Sequence, residues 1–382
     1  MTGAASDSTR LEIARKLVDD FARRTGLTGE GGDANERYLW TDAFAVQTFF
    51  ELADVFAEER YRELALKLIA EVHQRLGKFR PDDERQGWIS GLSQEEGNNH
   101  PTAGGLRIGK KLPERKPNER FDEALEWERD GQYFHYLTRW VQALLRAARE
   151  TRDMRYAVWA AELVQAGEKF IDNRRGKFRM YWKMSTDLSR PLVATIGYHD
   201  ALEGLVCAVT AAHAIPEKEP ELKPLMREWD KYCQSRHWVT TDSLGIGGLL
   251  LDAVRLANLG AEIPESIRPE KLLADCVESL ELYGLMHRPD LSAEYRLAFR
   301  ECGLSLGLRV AKNSKLKRDE LDPYMYLADD IEEFWIKPEN QKASTWMEHL
   351  DINAVTLAAS LMAPPYPRTY IEDCENYGKR SP

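Results

Sequence analysis

Three stretches are apolar on nearly every side: DAFAVQTFFELADVF at 42–56, ALEGLVCAVTAAHA at 201–214 and DINAVTLAASLMA at 351–363. A helix without a wet face has to be covered all round. RYRELALKLIAEVHQRLG at 60–77 is of the other kind. Leu64, Leu68, Val72 and Leu76 recur on one stripe and charged residues take the rest, which predicts a helix with one face in water. Outward from these four, the two kinds alternate along the chain. Twelve helical stretches follow, at about 9–24, 41–57, 59–76, 130–150, 154–172, 199–214, 219–235, 245–259, 268–283, 296–312, 319–336 and 348–362. Gly26, Gly77, Gly260 and Gly284 stand just past helix ends, where a left-handed residue is wanted.

Outer, inner, outer, inner, six times over, predicts an all-α (α/α)6 toroid of six helical hairpins. The rivals are two helical bundles or a solenoid. No Pro/Gly/Ser-rich linker divides the chain, so one domain is expected over 1–382, with a long loop at about 77–129. A length of 382 residues allows a substantial core. Acidic residues outnumber basic ones, 63 to 53, which argues against nucleic acid as a partner. No apolar run approaches the roughly 20 residues a bilayer requires, so no membrane association is expected. The first residues lack the apolar core of a signal peptide. Five cysteines with no CxxC pair fit reduced thiols, and the expected location is cytoplasmic.

In such a toroid the inner helices run parallel, and the segments before them meet at one mouth. Six of the ten tryptophans precede inner helices: Trp40, Trp88, Trp127, Trp182, Trp238 and Trp346. Indole faces around a polar mouth suit the C–H faces of sugar rings; stapling loops to the rim is the plainer use. Carboxylates gather there too: Asp42 in WTDAF, Asp130 in ERDGQYFHY, Asp200 and Glu203 in GYHDALEG, Glu348 and Asp351 in WMEHLD. Any one of these could simply cap its helix. As a set they come with Gln132, Tyr133, His135, His199 and His349. Carboxylates beside aromatic walls can part in pKa, one an acid and one a base, as glycosidic cleavage requires. The long loop is basic, with Arg107, Lys110, Lys111, Arg115, Lys116, Arg120 and Arg129. It is either a solvated surface or a clamp for an anionic group.

Other signals carry less. GGLRIGKK at 104–111 matches a phosphate-binding loop only until Lys111, which stands where Ser or Thr should hold magnesium. The acidic run at 329–333 lies on an outer helix, and the cysteines lack ligand spacing.

The helix alternation, with WTDAF, RDGQYFHY and YHDALEG at inner-helix starts, resembles the six-hairpin glycosidase-like superfamily over essentially the whole chain. Unsaturated glucuronyl hydrolases are similar in placing catalytic Asp at inner-helix starts, a placement that Asp42 and Asp130 match. The N-acylglucosamine 2-epimerase branch also resembles the chain, and its cavity histidines imply a proton-transfer role for His199 and His349. The expectation is a carbohydrate-active hydrolase on a small saccharide, anionic if Arg107 and Lys110 contact it. Asp130 is its expected acid and Asp42 its base, with Asp200 or Glu348 next in line. Trp40, Trp88, Trp127 and Trp346 are the expected platform, with Tyr133, Gln132, His135 and Glu203 around the substrate. A sugar epimerase or isomerase, a non-catalytic saccharide-binding toroid and an isoprenoid cyclase are the alternatives. No metal or organic cofactor is implied, and the oligomeric state stays open.

Overall fold

The computed structural model describes residues 7–29, 37–172, 178–259, 263–316 and 319–362. Each of the twelve predicted stretches contains a helix: α1 (Asp7–Arg24), α2 (Leu39–Phe56), α3 (Glu59–Leu76), α6 (Phe134–Thr151), α7 (Arg155–Ala166), α8 (Asp200–Ala214), α9 (Glu219–Cys233), α10 (Ser243–Leu259), α11 (Pro269–Met286), α12 (Ala298–Lys312), α13 (Met325–Trp335) and α15 (Leu350–Leu361). Three short helices join them, α4 (Gln94–Asn99) and α5 (Glu123–Glu128) in the long loop and α14 (Ser344–Met347) before α15. Among the described residues no helix is long and apolar enough to cross a membrane.

The two kinds of helix differ in burial as their patterns require. Along α8 every residue but His213 is buried, whereas α9 buries only Leu222, Leu225, Trp229 and Cys233. Cys207, Cys233, Cys276 and Cys302 are buried.

The expected start of the fourth stretch at 130 needs correction. Gln132–Tyr133 form strand β1, which pairs antiparallel with β2 (Lys183–Met184), itself paired with β3 (Pro191–Val193). Gly131, at φ +140°, turns the chain into β1, and α6 begins only at Phe134. Two residues satisfied by strand pairing cannot also open a helix. Of the helix-end glycines, Gly26 has φ +67° as expected. Gly284 lies inside α11, and Gly260 falls outside the described residues.

The chain divides into two compact units: Met1–Gly32, Gln47–Ala65 and Arg236–Pro382 in the first, Asp33–Val46 and Leu66–Ser235 in the second. In the first unit α10 packs on α12, α12 on α15 and α15 on α1, while α11 lies against α10 and α13 against α12. The acidic run of α13 is structural: Glu332, fully buried, binds Arg10 and Arg309, and Asp329 also pairs with Arg309. In the second unit α6 and α8 pack together, α7 lies against both, and α9 covers α8.

The α10–α12 contact is made backbone to backbone. A Cβ on Gly247 would collide with the Gly303 carbonyl, and one on Gly307 would come 2.7 Å from the Gly247 Cα. Backbone cannot swing aside as a side-chain tip can, so the cost is overpacking. Gly247→Ala should therefore lower stability by about 1–3 kcal/mol, read from the denaturation midpoint. A neutral substitution would show that the two helices are not held this closely.

Candidate functional site

The carboxylate expected to act as acid is held fast. Asp130 is fully buried. Its Oδ1 accepts the backbone N–H of Gly109 and of Gly131, each at 3.0 Å. Its Oδ2 takes Nη1 of Arg107, with Nη1 of Arg80 at 3.7 Å. Arg107 is equally committed: Nε donates to the Lys78 carbonyl (2.7 Å) and Nη2 to that of Arg75 (2.6 Å). The pair thus ties the end of α3, the long loop and the root of α6 into one piece. Gln132 adds a second tie, donating to the Gly104 and Thr186 carbonyls and accepting the Leu106 N–H.

Asp42, the expected base, closes the first turn of α2. Its Oδ2 accepts the Tyr38 backbone N–H at 3.1 Å, and its Oδ1 lies 3.8 Å from Nη1 of Arg37. Capping, the plainer reading, describes it well. Trp88 also changes role. It is buried, and Gly97 and Gly77 pack so tightly on its ring that neither could carry a Cβ without a clash. It staples the loop to the fold.

The basic loop largely neutralises itself: Arg107 goes to Asp130, Arg115 to Glu126 and Arg129 to Glu119. Lys110 differs, its ammonium standing 5.4 Å from the centre of the Tyr38 ring. Glu348 and His349 belong to the first unit and are exposed. There Trp346 is buried on Trp335 (5.6 Å between rings, 28° between planes), as core rather than platform, and Asp351 pairs with Arg24.

What the second unit does bring together is an aromatic cluster at the starts of α2, α6 and α8. His135, in the first turn of α6, has the rings of Trp40, Tyr133, Tyr136 and Trp182 at 5.9, 5.3, 4.9 and 5.7 Å. Trp127, 46% exposed, stands edge-on to Trp182 at 4.9 Å. Tyr38 and Tyr136 share a hydrogen bond of 2.5 Å between hydroxyls. Trp40, Trp127, Tyr133 and His135 were legible as candidates from the sequence, whereas Tyr38, Tyr136 and the role of Trp182 were not. The signal for Tyr136 was its place beside His135; Trp182 arrives from a turn some fifty residues on.

Charge enters the cluster through Arg139, one turn along α6. Its guanidinium lies 5.5 Å from the Trp40 ring centre and donates to Glu203 at 2.6 Å, while the other Glu203 oxygen accepts Thr138 Oγ1 at 2.7 Å. Asp200, one turn before Glu203 on α8, has a different environment. It is buried, it accepts the Gly197 backbone N–H at 2.9 Å, and Glu203 is close by. Burial first, and then the Glu203 charge, push its carboxyl up to about 8. At neutral pH this favours the protonated form of Asp200. His199 stands at the N-cap position of the same helix, half-buried, its ring 5.0 Å from that of Tyr198.

Burial has the opposite effect on the base His135, whose pKa falls to about 3, with Arg139 adding to the fall. Tyr38 is pushed up to about 12, by burial foremost and partly by the Glu128 charge. Glu128, exposed at the end of α5, also helps to raise Tyr133. It is a carboxylate beside the cluster that the sequence reading missed, because nothing in α5 marks which of its three glutamates, at 123, 126 and 128, acts on the rings.

No family model matches the chain, and no curated protein matches it. Solved structures do. An inactive variant of the α-1,6-mannanase GH76A of Salegentibacter sp. HEL1_6, in complex with α-1,6-mannotriose, matches with a TM-score of 0.52 at 10% identity, over 92% of this chain and 99% of that one. The GH76 α-mannanase of Bacteroides thetaiotaomicron matches with 0.54 at 8%, over 94% and 95%. D-mannose isomerase matches with 0.54 at 12%, over 95% and 99%. Shared at such identity is the fold, an (α/α)6 toroid.

Asp130→Asn separates the two roles of this residue. It strands the buried Arg107 charge, so the expected loss is about 3–5 kcal/mol of stability, seen as a lower guanidinium midpoint. An unchanged midpoint with lost turnover would return Asp130 to catalysis.

Proposed function

We propose that the protein is a carbohydrate-active enzyme, a hydrolase of small saccharides, whose site is the aromatic cluster at the starts of α2, α6 and α8. The observation that carries this reading is Asp200, a buried carboxyl kept protonated at neutral pH at the start of α8, one turn from Glu203, whose partner Arg139 lies over the Trp40 ring. A glycosidic oxygen leaves only when protonated, and a raised carboxyl is the group for that step. Glu128 takes the second role, drawing a proton from water. Trp127 and Trp182 form the platform, buried Trp40 backs it, and the Arg139–Glu203 pair fixes the floor beneath it. The solved structures of like fold support a saccharide as substrate: two of those named are α-mannanases, one of them in complex with α-1,6-mannotriose, and the third is a D-mannose isomerase. We take 1–382 as one toroid domain. The buried thiols favour the cytoplasm as its location.

The second reading, a sugar isomerase, is favoured by His199, which stands directly before Asp200 at the same helix start. Its expected partner His349 belongs to the other unit. Solvent isotopes separate the two. A hydrolase run in heavy-oxygen water places the label on the released sugar, whereas an isomerase run in deuterated water leaves deuterium on a sugar carbon. Carbon label from mannose without cleavage of α-1,6-mannotriose would replace the first reading by the second.

The pH dependence follows from the raised Asp200. Turnover should fall as pH rises through about 8, when the acid loses its proton. Stability has its own signature. Between about pH 4 and 8 the unfolded chain has released this proton and the folded one retains it, so stability declines as pH rises. Asp200→Asn should flatten that decline and, like Glu128→Gln, cost roughly 10²-fold in turnover. A variant at position 200 with full activity and the same stability profile would remove Asp200 from the mechanism.

A further inference from the structure

His135 stands at the centre of the cluster, and its tautomer is decided by one bond. Trp182 Nε1 lies 3.1 Å from His135 Nδ1. An indole nitrogen can only donate, so Nδ1 must offer a lone pair. An imidazolium has N–H on both nitrogens and has no lone pair to offer. The ring is therefore neutral, with its proton on Nε2. That nitrogen has no hydrogen-bond partner among the described residues, and it is not among their sealed polar atoms.

We propose that His135 is a positioning residue: locked by Trp182 as the neutral Nε2–H tautomer, it donates a hydrogen bond to an uncharged oxygen of the bound sugar, a hydroxyl or a carbonyl. The proposal rests on the saccharide reading above. A neutral donor fixes the orientation of the ring in the site without selecting for charge, and at this tautomer it cannot serve as the base at Nε2. The groups facing it favour the neutral form. Arg139 on its own helix opposes a second positive charge. Lys183, beside Tyr133 on β2, is turned toward Glu126. Of the carboxylates, Glu203 is held by Arg139, Asp200 keeps its proton, and Glu128 stands on α5 by Tyr133 and Tyr38. Tyr38, at the start of α2, and Tyr133 and Tyr136 stay protonated, since burial raises all three.

Two measurements test it. Imidazole nitrogen NMR on the whole protein should show the neutral Nε2–H pattern for His135, unchanged from pH 5 to 8. In Trp182→Phe, which keeps a ring and loses the donor, the fixed tautomer should be lost. An imidazolium at pH 6, or an Nδ1–H tautomer, overturns the assignment. Binding of mannose and α-1,6-mannotriose, followed by tryptophan fluorescence, tests the donor role. His135→Phe should weaken binding roughly 3- to 10-fold, the worth of one neutral hydrogen bond. His135→Gln, whose amide N–H can reach the same oxygen, should recover most of it. Equal loss in both variants, with both folded by circular dichroism, overturns the donor role alone. Failure of the native protein to bind either sugar overturns it together with the saccharide reading, whatever the NMR result.

Discussion

The ion pair of Asp130 with Arg107 is the contact on which the candidate site depends. Two charges removed from water are tolerated only where further hydrogen bonds complete their shells. Here two backbone N–H groups complete Asp130 and two carbonyls complete Arg107. Those backbone groups come from the end of α3, the long loop and the turn before α6. A loop of some fifty residues has large freedom to lose, and it is held at defined points: this pair, Gln132 and the Trp88 staple. The root of α6 is fixed as a result, and with it Tyr133, His135 and Arg139.

Around that root the protein uses low polarity to set protonation states. The same burial that keeps a proton on Asp200 keeps one off His135 and leaves the tyrosines neutral. The result is a site whose hydrogen-bond donors are mostly uncharged, with Arg139 tied to Glu203 and its face turned to Trp40. Such a surface suits the many hydroxyls of a sugar, each needing a partner but none carrying charge. Arg107, Arg115 and Arg129 serve carboxylates of the chain itself, and Lys110 stands over the Tyr38 ring.

Mannan hydrolysis and mannose isomerisation both occur on chains that match this fold at 8–12% identity. A toroid of inner and outer helices asks only for the right apolar faces, which many sequences supply. The chemistry rests on a few residues at helix starts, and those are set by local contacts rather than by the fold.

The sequence by itself determined the helices and their two kinds. Apolar periodicity is a local property, and α8 and α9 carry it in full view, so burial could be read directly from the pattern. It also marked Trp40, Trp127, Tyr133, His135, Asp200 and Glu203, because they lie within a turn or a short loop of an inner-helix start. What only the tertiary structure decided was which polar groups are already engaged. Asp42, Asp130 and Asp200 look alike in sequence, each an acid near a helix start. Asp130 meets Arg107 across 23 residues, Trp182 meets His135 across 47, and Glu203 meets Arg139 across 64. A carboxylate's role depends on the partners that reach it, and those partners come from chain segments whose approach no local pattern encodes.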